Sequence, residues 1–130
     1  MKNLIKKEIL YPELSYIIMG CLFNVHNEIG SGHKERIYER AVAEAFIERG
    51  LSFKEQVYVP VIFHDKYVGK YFLDFLVDGK IVVELKAGDQ FLKKDTDQIL
   101  RYLQIHNISL GILARFTSRG VIAKRIIHIK

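Results

Sequence analysis

Two charged residues interrupt the apolar run Ile81-Val82-Val83-Glu84-Leu85-Lys86-Ala87. Strand side chains alternate between faces, so Glu84 and Lys86 leave the same face, together with Val82. An isolated Glu-x-Lys is weakly specific and most often marks a solvated strand face. Asp74 changes that weighting, because aspartate is a poor strand former and here it stands inside Phe72-Leu73-Asp74-Phe75-Leu76-Val77. Two carboxylates that converge in a partly apolar setting repel one another unless a cation lies between them. Oxygen donors with no Cys or His close by in sequence suit Mg²⁺ or Mn²⁺ better than Zn²⁺. Such an ion polarises a phosphate oxygen and lowers the pKa of a bound water, while a neighbouring lysine orients that water or offsets the developing charge. Phosphodiester hydrolysis is the chemistry this set would perform.

Whether the two acids meet depends on the turn between their strands. A two-residue turn at Asp78-Gly79 would set Asp74 opposite Val83, on the face away from Glu84. A three-residue loop, with Val77-Asp78 in a type I turn and Gly79 as a left-handed bulge, would pair Asp74 with Val82 and place Glu84 diagonally beside it. Gly79 favours the second arrangement, which is the expected register.

The elements that must hold these residues are legible in the hydrophobic pattern. Leu14, Ile17, Ile18, Cys21, Leu22, Val25 and Ile29 form one stripe of a helix over 14–29. Gly30-Ser31-Gly32-His33 breaks it, and a second helix runs from Lys34 to Arg49 with a glycine stop at Gly50. Val57–His64, Lys70–Val77 and Lys80–Ala87 are rich in Val, Ile, Phe and Tyr and read as an antiparallel meander, with turn residues at Asp65 and Gly69 and then Asp78-Gly79. A helix over Leu92–Asn107 follows. Ser109–Phe116 and Val121–Ile129 complete the order α-α-β-β-β-α-β-β, with no internal repeat or linker.

Three further polar positions bear on the site. Glu35 shares a helix side with Tyr38, Val42 and Phe46, which brings a third acid toward the apolar side, although a first-turn glutamate is also what a helix dipole favours. Gln98 shares its helical face with Asp95, Tyr102 and His106, where it can serve the site or be a buried amide satisfied by main chain. Lys93, Lys94, Arg101, Arg115, Arg119, Lys124 and Arg125 can follow a phosphate backbone, or form a solvated face.

The whole chain narrows the partners. Its 130 residues suit one domain, 1–130, and 49% hydrophobic with 27% charged residues is the composition of a soluble globular protein. A formal charge of +5 favours a polyanionic partner, with nucleic acid the first candidate. Cys21 is the only cysteine, so an internal disulfide and a multi-cysteine zinc site are excluded and a cytoplasmic setting is expected. The apolar run 17–23 is too short to span a bilayer, and the preceding segment is unlike a signal peptide. The five histidines are scattered over different elements, unlike zinc ligands.

Gly32-His33-Lys34-Glu35-Arg36-Ile37-Tyr38-Glu39 resembles the motif that names the GxxExxY proteins, a group in the PD-(D/E)XK nuclease superfamily. Asp74, then Glu84-Leu85-Lys86, then Gln98 with Tyr102-Leu103 follow in the order that family shows. Leu73 stands where the superfamily's name has proline. The resemblance implies an α+β, restriction-endonuclease-like αβββαβ core, with a mixed sheet flanked by helices and an extra N-terminal helix. It implies Glu35, Asp74, Glu84 and the Leu85 carbonyl as ligands of Mg²⁺ or Mn²⁺, Lys86 as the catalytic lysine and Gln98 as an accessory. Lys93, Lys94, Arg101 and Tyr102 would face nucleic acid. The function expected is a metal-dependent deoxyribonuclease, with homodimer formation a plausible extension of reach. The rival is a module on the same fold that binds nucleic acid or protein without cleaving.

Overall fold

A computed structural model describes residues 10–129. The elements are α1 (Pro12–Ile29), α2 (Glu35–Glu48), β1 (Phe53–Phe63), β2 (Lys66–Val77), β3 (Ile81–Ala87), α3 (Lys93–His106), β4 (Leu110–Thr117) and β5 (Gly120–Ile127). The strands lie in one sheet in sequential order. Every neighbouring pair is antiparallel except β3 and β4, which run parallel. A parallel pair needs a crossover, and α3 supplies it. This is the mixed, helix-flanked α+β arrangement the sequence leads one to expect, with the same element order.

Helices cover both sides of the sheet. On one side α1 and α2 bury Ile18, Leu22, Val25, Tyr38, Val42 and Phe46 against Phe75, Val83, Leu85 and Ile112. On the other, Ile99, Tyr102 and Leu103 of α3 pack on Val57, Leu73, Val82 and Leu113. The central strands are covered twice, and this is why β4 is buried at all eight positions and why its sequence runs apolar without alternating. At Gly111, a methyl group would stand 2.5 Å from the Ile99 side chain, so α3 approaches β4 closely there. No described helix is long and apolar enough to cross a membrane.

Two details of the meander depart from expectation. The turn joining β1 to β2 is only His64-Asp65, both with positive φ, between the paired residues Phe63 and Lys66. Gly69 lies inside β2 at a register shift and is not part of a loop. At the β2–β3 turn, Val77 pairs with Ile81, leaving Asp78-Gly79-Lys80 as the loop, with Asp78 as well as Gly79 at positive φ. The loop therefore has three residues as expected, but it begins one residue later. Val82 pairs with Leu76, not with Asp74, and continuing the ladder sets Asp74 directly opposite Glu84.

That continuation is not made by main chain. The β2–β3 ladder ends at Phe75 and Val83. Opposite Asp74 on β1, Gln56 takes φ 54 and drops out of the pairing between Glu55 and Val57. Alternation breaks here, since Leu73, Asp74 and Phe75 are buried in succession. Phe75 faces the α1–α2 core and Leu73 the α3 core, so β2 changes faces as it crosses Asp74. The local outcome is a fork between β2 and β3.

Candidate active site

The fork is closed by carboxylates. Glu84 Oε1 accepts the Asp74 amide at 2.9 Å. Asp74 Oδ2 accepts the Leu85 amide at 2.8 Å. Each acid therefore satisfies one backbone donor that strand separation would otherwise orphan in the interior. Asp74 is 7% and Glu84 5% exposed, so both are withdrawn from bulk water. Among the described residues, Oδ1 of Asp74 and Oε2 of Glu84 make no main-chain bond.

Lys86 stands at the carboxyl end of β3, where both helical layers come within reach. Its ammonium lies 3.6 Å from Glu84 Oε2, 3.8 Å from Glu35 Oε1 and 3.8 Å from Asp95 Oδ1. Glu35 reaches it because Tyr38 anchors the start of α2. The Tyr38 ring stacks on Phe116 of β4 at 4.1 Å, and its hydroxyl donates to the Gly30 carbonyl at 2.7 Å. Gly30 (φ 78) and Gly32 (φ 87) make the left-handed bend that this anchor requires. Glu35 itself remains half exposed.

The electrostatics show an excess of negative charge. Burial is the largest influence on Asp74 and, with the Glu84 charge, pushes it up to about 7. Glu39, one turn after Glu35, is pushed up to about 8, first by its hydrogen bond to Asp74 and then by burial and the Asp74 charge. Burial and mutual repulsion thus favour protonation of this pair, while Gln56 donates to Glu39 Oε1 at 3.4 Å. Burial raises Glu84 as well. For Lys86, burial alone would favour the neutral amine, but Glu84, Glu35, Asp95 and Asp74 together outweigh it and raise the pKa. Lys86 is thus a firm ammonium.

The sequence-expected residues Asp74, Glu84, Lys86 and Glu35 are brought together. Gln98 is half-buried on α3 without a hydrogen bond to the acids among the described residues. Its helix instead delivers Asp95, one turn earlier, to Lys86. Two of the expected surface groups lie inside. Tyr102 is 6% exposed in the α3 core, and Arg115 is 4% exposed and paired to Asp95. Both are packing or pairing positions, not a face for nucleic acid. Lys93, Lys94 and Arg101 are exposed on α3, with Lys93 bonded to Asp97 at 2.6 Å. Glu39, Asp95 and Arg115 belong to the cluster and were not singled out as site residues from sequence. The available signals were Glu39 four residues after Glu35, and Asp95 sharing a helical face with Gln98.

Oxygen donors and surplus negative charge at the fork fit a hard divalent cation. Among the described residues no three His, Cys, Asp or Glu side chains already converge in ligand positions. The Lys86 ammonium instead lies between Glu35, Glu84 and Asp95.

A buried acid pair and a lysine thus stand together on the middle strand of a mixed sheet. The comparisons with known proteins give the class. A model of the PD-(D/E)XK nuclease superfamily matches residues 12–127, and the chain belongs to that superfamily. Among solved structures, the chain titled "Crystal structure of SSO0001" is similar with a TM-score of 0.59 at 19% identity, over 74% of this chain. That likeness concerns the fold, and this chain spans 51% of that one's length. No curated protein matches.

Proposed function

We propose that residues 1–130 form one nuclease domain that hydrolyses phosphodiester bonds in DNA with Mg²⁺ or Mn²⁺. The observation that carries this reading is the fork, where Asp74 and Glu84 each spend only one oxygen on the main chain and stand beside a lysine held as an ammonium. Asp74 and Glu84 would hold the cation, joined by Glu39 or Glu35 from α2 and by the Leu85 carbonyl. The bound ion would neutralise phosphate charge and supply a water of lowered pKa. Lys86 Nζ donates to the attacking water or to a non-bridging phosphate oxygen, and so stabilises the charge that develops there. The Asp74–Glu39 pair holds a proton that a bound cation would displace. Water adds to phosphorus as the P–O ester bond breaks, leaving a phosphate monoester and an alcohol.

The test is cleavage of single-stranded, duplex and branched DNA by wild type, Glu84→Ala and Lys86→Ala, each with Mg²⁺ or Mn²⁺. Each substitution is expected to lower the rate by about 10²-fold or more. Equal cleavage by all three would identify a contaminant. Salt-sensitive binding without cleavage would replace this reading with a non-cleaving nucleic-acid module.

A further inference from the structure

Lys86 is held by Asp95, and Asp95 in turn by Arg115. In the parallel β3–β4 register Lys86 is paired with Arg115, so the two cationic side chains leave the sheet on the same side. Side by side they would repel, yet Arg115 is 4% exposed. Asp95, 3% exposed in the first turn of α3, resolves this by dividing its carboxylate. Oδ2 meets Arg115 Nη2 at 3.3 Å and Oδ1 meets Lys86 Nζ at 3.8 Å. Arg115 Nη1 also donates to the Ala87 carbonyl at 3.4 Å, and its guanidinium stacks on Phe91 at 4.8 Å.

We propose that Arg115 is a positioning residue which, through Asp95, fixes where the Lys86 ammonium stands. This inference rests on the nuclease reading for the value of that position, but not for the geometry. Stability alone accounts poorly for the pair. Buried ion pairs are often replaceable by apolar residues without loss, and here Arg115 Nε is buried with no hydrogen-bond partner among the described residues. Its benefit lies in placement. The three Lys86 contacts measure 3.6–3.8 Å, against about 2.7–2.9 Å for a direct charge-assisted bond. No single carboxylate captures the ammonium, so its protons stay available to a further group. Arg115 maintains that balance by occupying the second Asp95 oxygen. Without Asp95, Lys86 is left to Glu84 and Glu35 and moves into the space the acids would offer a metal ion.

The experiment uses the full chain with ¹³C,¹⁵N-labelled lysine, and identifies the Lys86 side-chain NMR signals by their loss in Lys86→Met. Asp95→Asn and Arg115→Met are each expected to shift the Lys86 ¹³Cε and ¹⁵Nζ signals while backbone amides far from the site stay in place. Arg115→Lys, which keeps the charge, should return them most of the way. On DNA, Asp95→Asn and Arg115→Met should lower kcat about 10–100-fold, the scale of a slightly misplaced group, with little change in KM. An unmoved Lys86 signal in folded Arg115→Met overturns the proposal even if wild type cleaves DNA. Shifted Lys86 signals in the variants, with a wild type that never cleaves, sustain the positioning and overturn only the nuclease reading. Should Arg115→Met fail to fold, Asp95→Asn and Arg115→Lys decide by the same signals.

Discussion

Asp74 serves two purposes at once, since its Oδ2 closes a backbone bond to Leu85 while its charge belongs to the acid cluster. Substitutions separate them. Asp74→Asn can still accept the Leu85 amide, whereas Asp74→Ala strands that buried donor, so the alanine variant is expected to be less stable than the asparagine variant by about 1–3 kcal/mol in thermal or urea unfolding. Acidity gives a second test. Asp74 rises from 3.8 to about 7 on folding and Glu39 from 4.5 to about 8. Both folded values lie above the unfolded ones, so the stability from keeping these carboxyl groups protonated is fully present below about pH 4 and is lost as pH rises through 7 to 8. Metal-free protein should therefore melt at lower temperature at pH 9 than at pH 5, and Asp74→Asn with Glu39→Gln should flatten that slope. Mg²⁺ should raise the melting temperature more at pH 8 than at pH 5, because it competes with the proton. A pH-independent melting curve in wild type would contradict this. Asp74, Glu84 and Lys86 were legible in sequence because charges stand out within apolar strands. Glu39 and Asp95 were not, because a charge on a helix looks solvated until the packing partner is known, whereas Arg115 does interrupt the apolar strand 110–117 and that signal went unused.

At the level of elements, the periodic patterns of the helices and central strands carried through with ends shifted by at most four residues. The β1–β2 hairpin was harder to read, because Gly69 has the composition of a turn and yet sits at a register shift within β2. The parity argument placed Asp74 and Glu84 on a common side, and its loop length was right. It paired Asp74 two residues off, because it started the loop at Val77 where the chain turns at Asp78-Gly79-Lys80, and the side-chain bonds at the fork are tertiary facts with no local signature. Helix α3 depends on Gly111 for its approach to β4. Gly111→Ala would drive a methyl group into Ile99, which is fully buried, at 2.5 Å. Overpacking of this kind is expected to cost about 1–3 kcal/mol, measured as a drop in denaturant midpoint at constant m-value. The same change displaces the helix that bears Asp95, so turnover should fall by more than the loss of folded protein explains.

Over the whole molecule, the formal charge of +5 sets the terms on which a polyanion is met. Lys94 and Arg101 are exposed on α3, the helix that also brings Asp95 to the site. Replacing either by alanine should weaken DNA binding across all sequences and reduce the salt dependence of log K by about one counterion each. A salt slope unchanged by both would remove α3 from the binding surface. The fork itself has an evolutionary corollary. Asp74 and Glu84 hold peptide groups of the central strands in place, so a descendant that had abandoned hydrolysis would still be under pressure to retain both acids merely to stay folded. Lys86 makes only side-chain ion pairs among the described residues. Across relatives of this chain, the lysine is therefore the residue whose loss should track the loss of cutting, and counting acids would overstate how many remain enzymes.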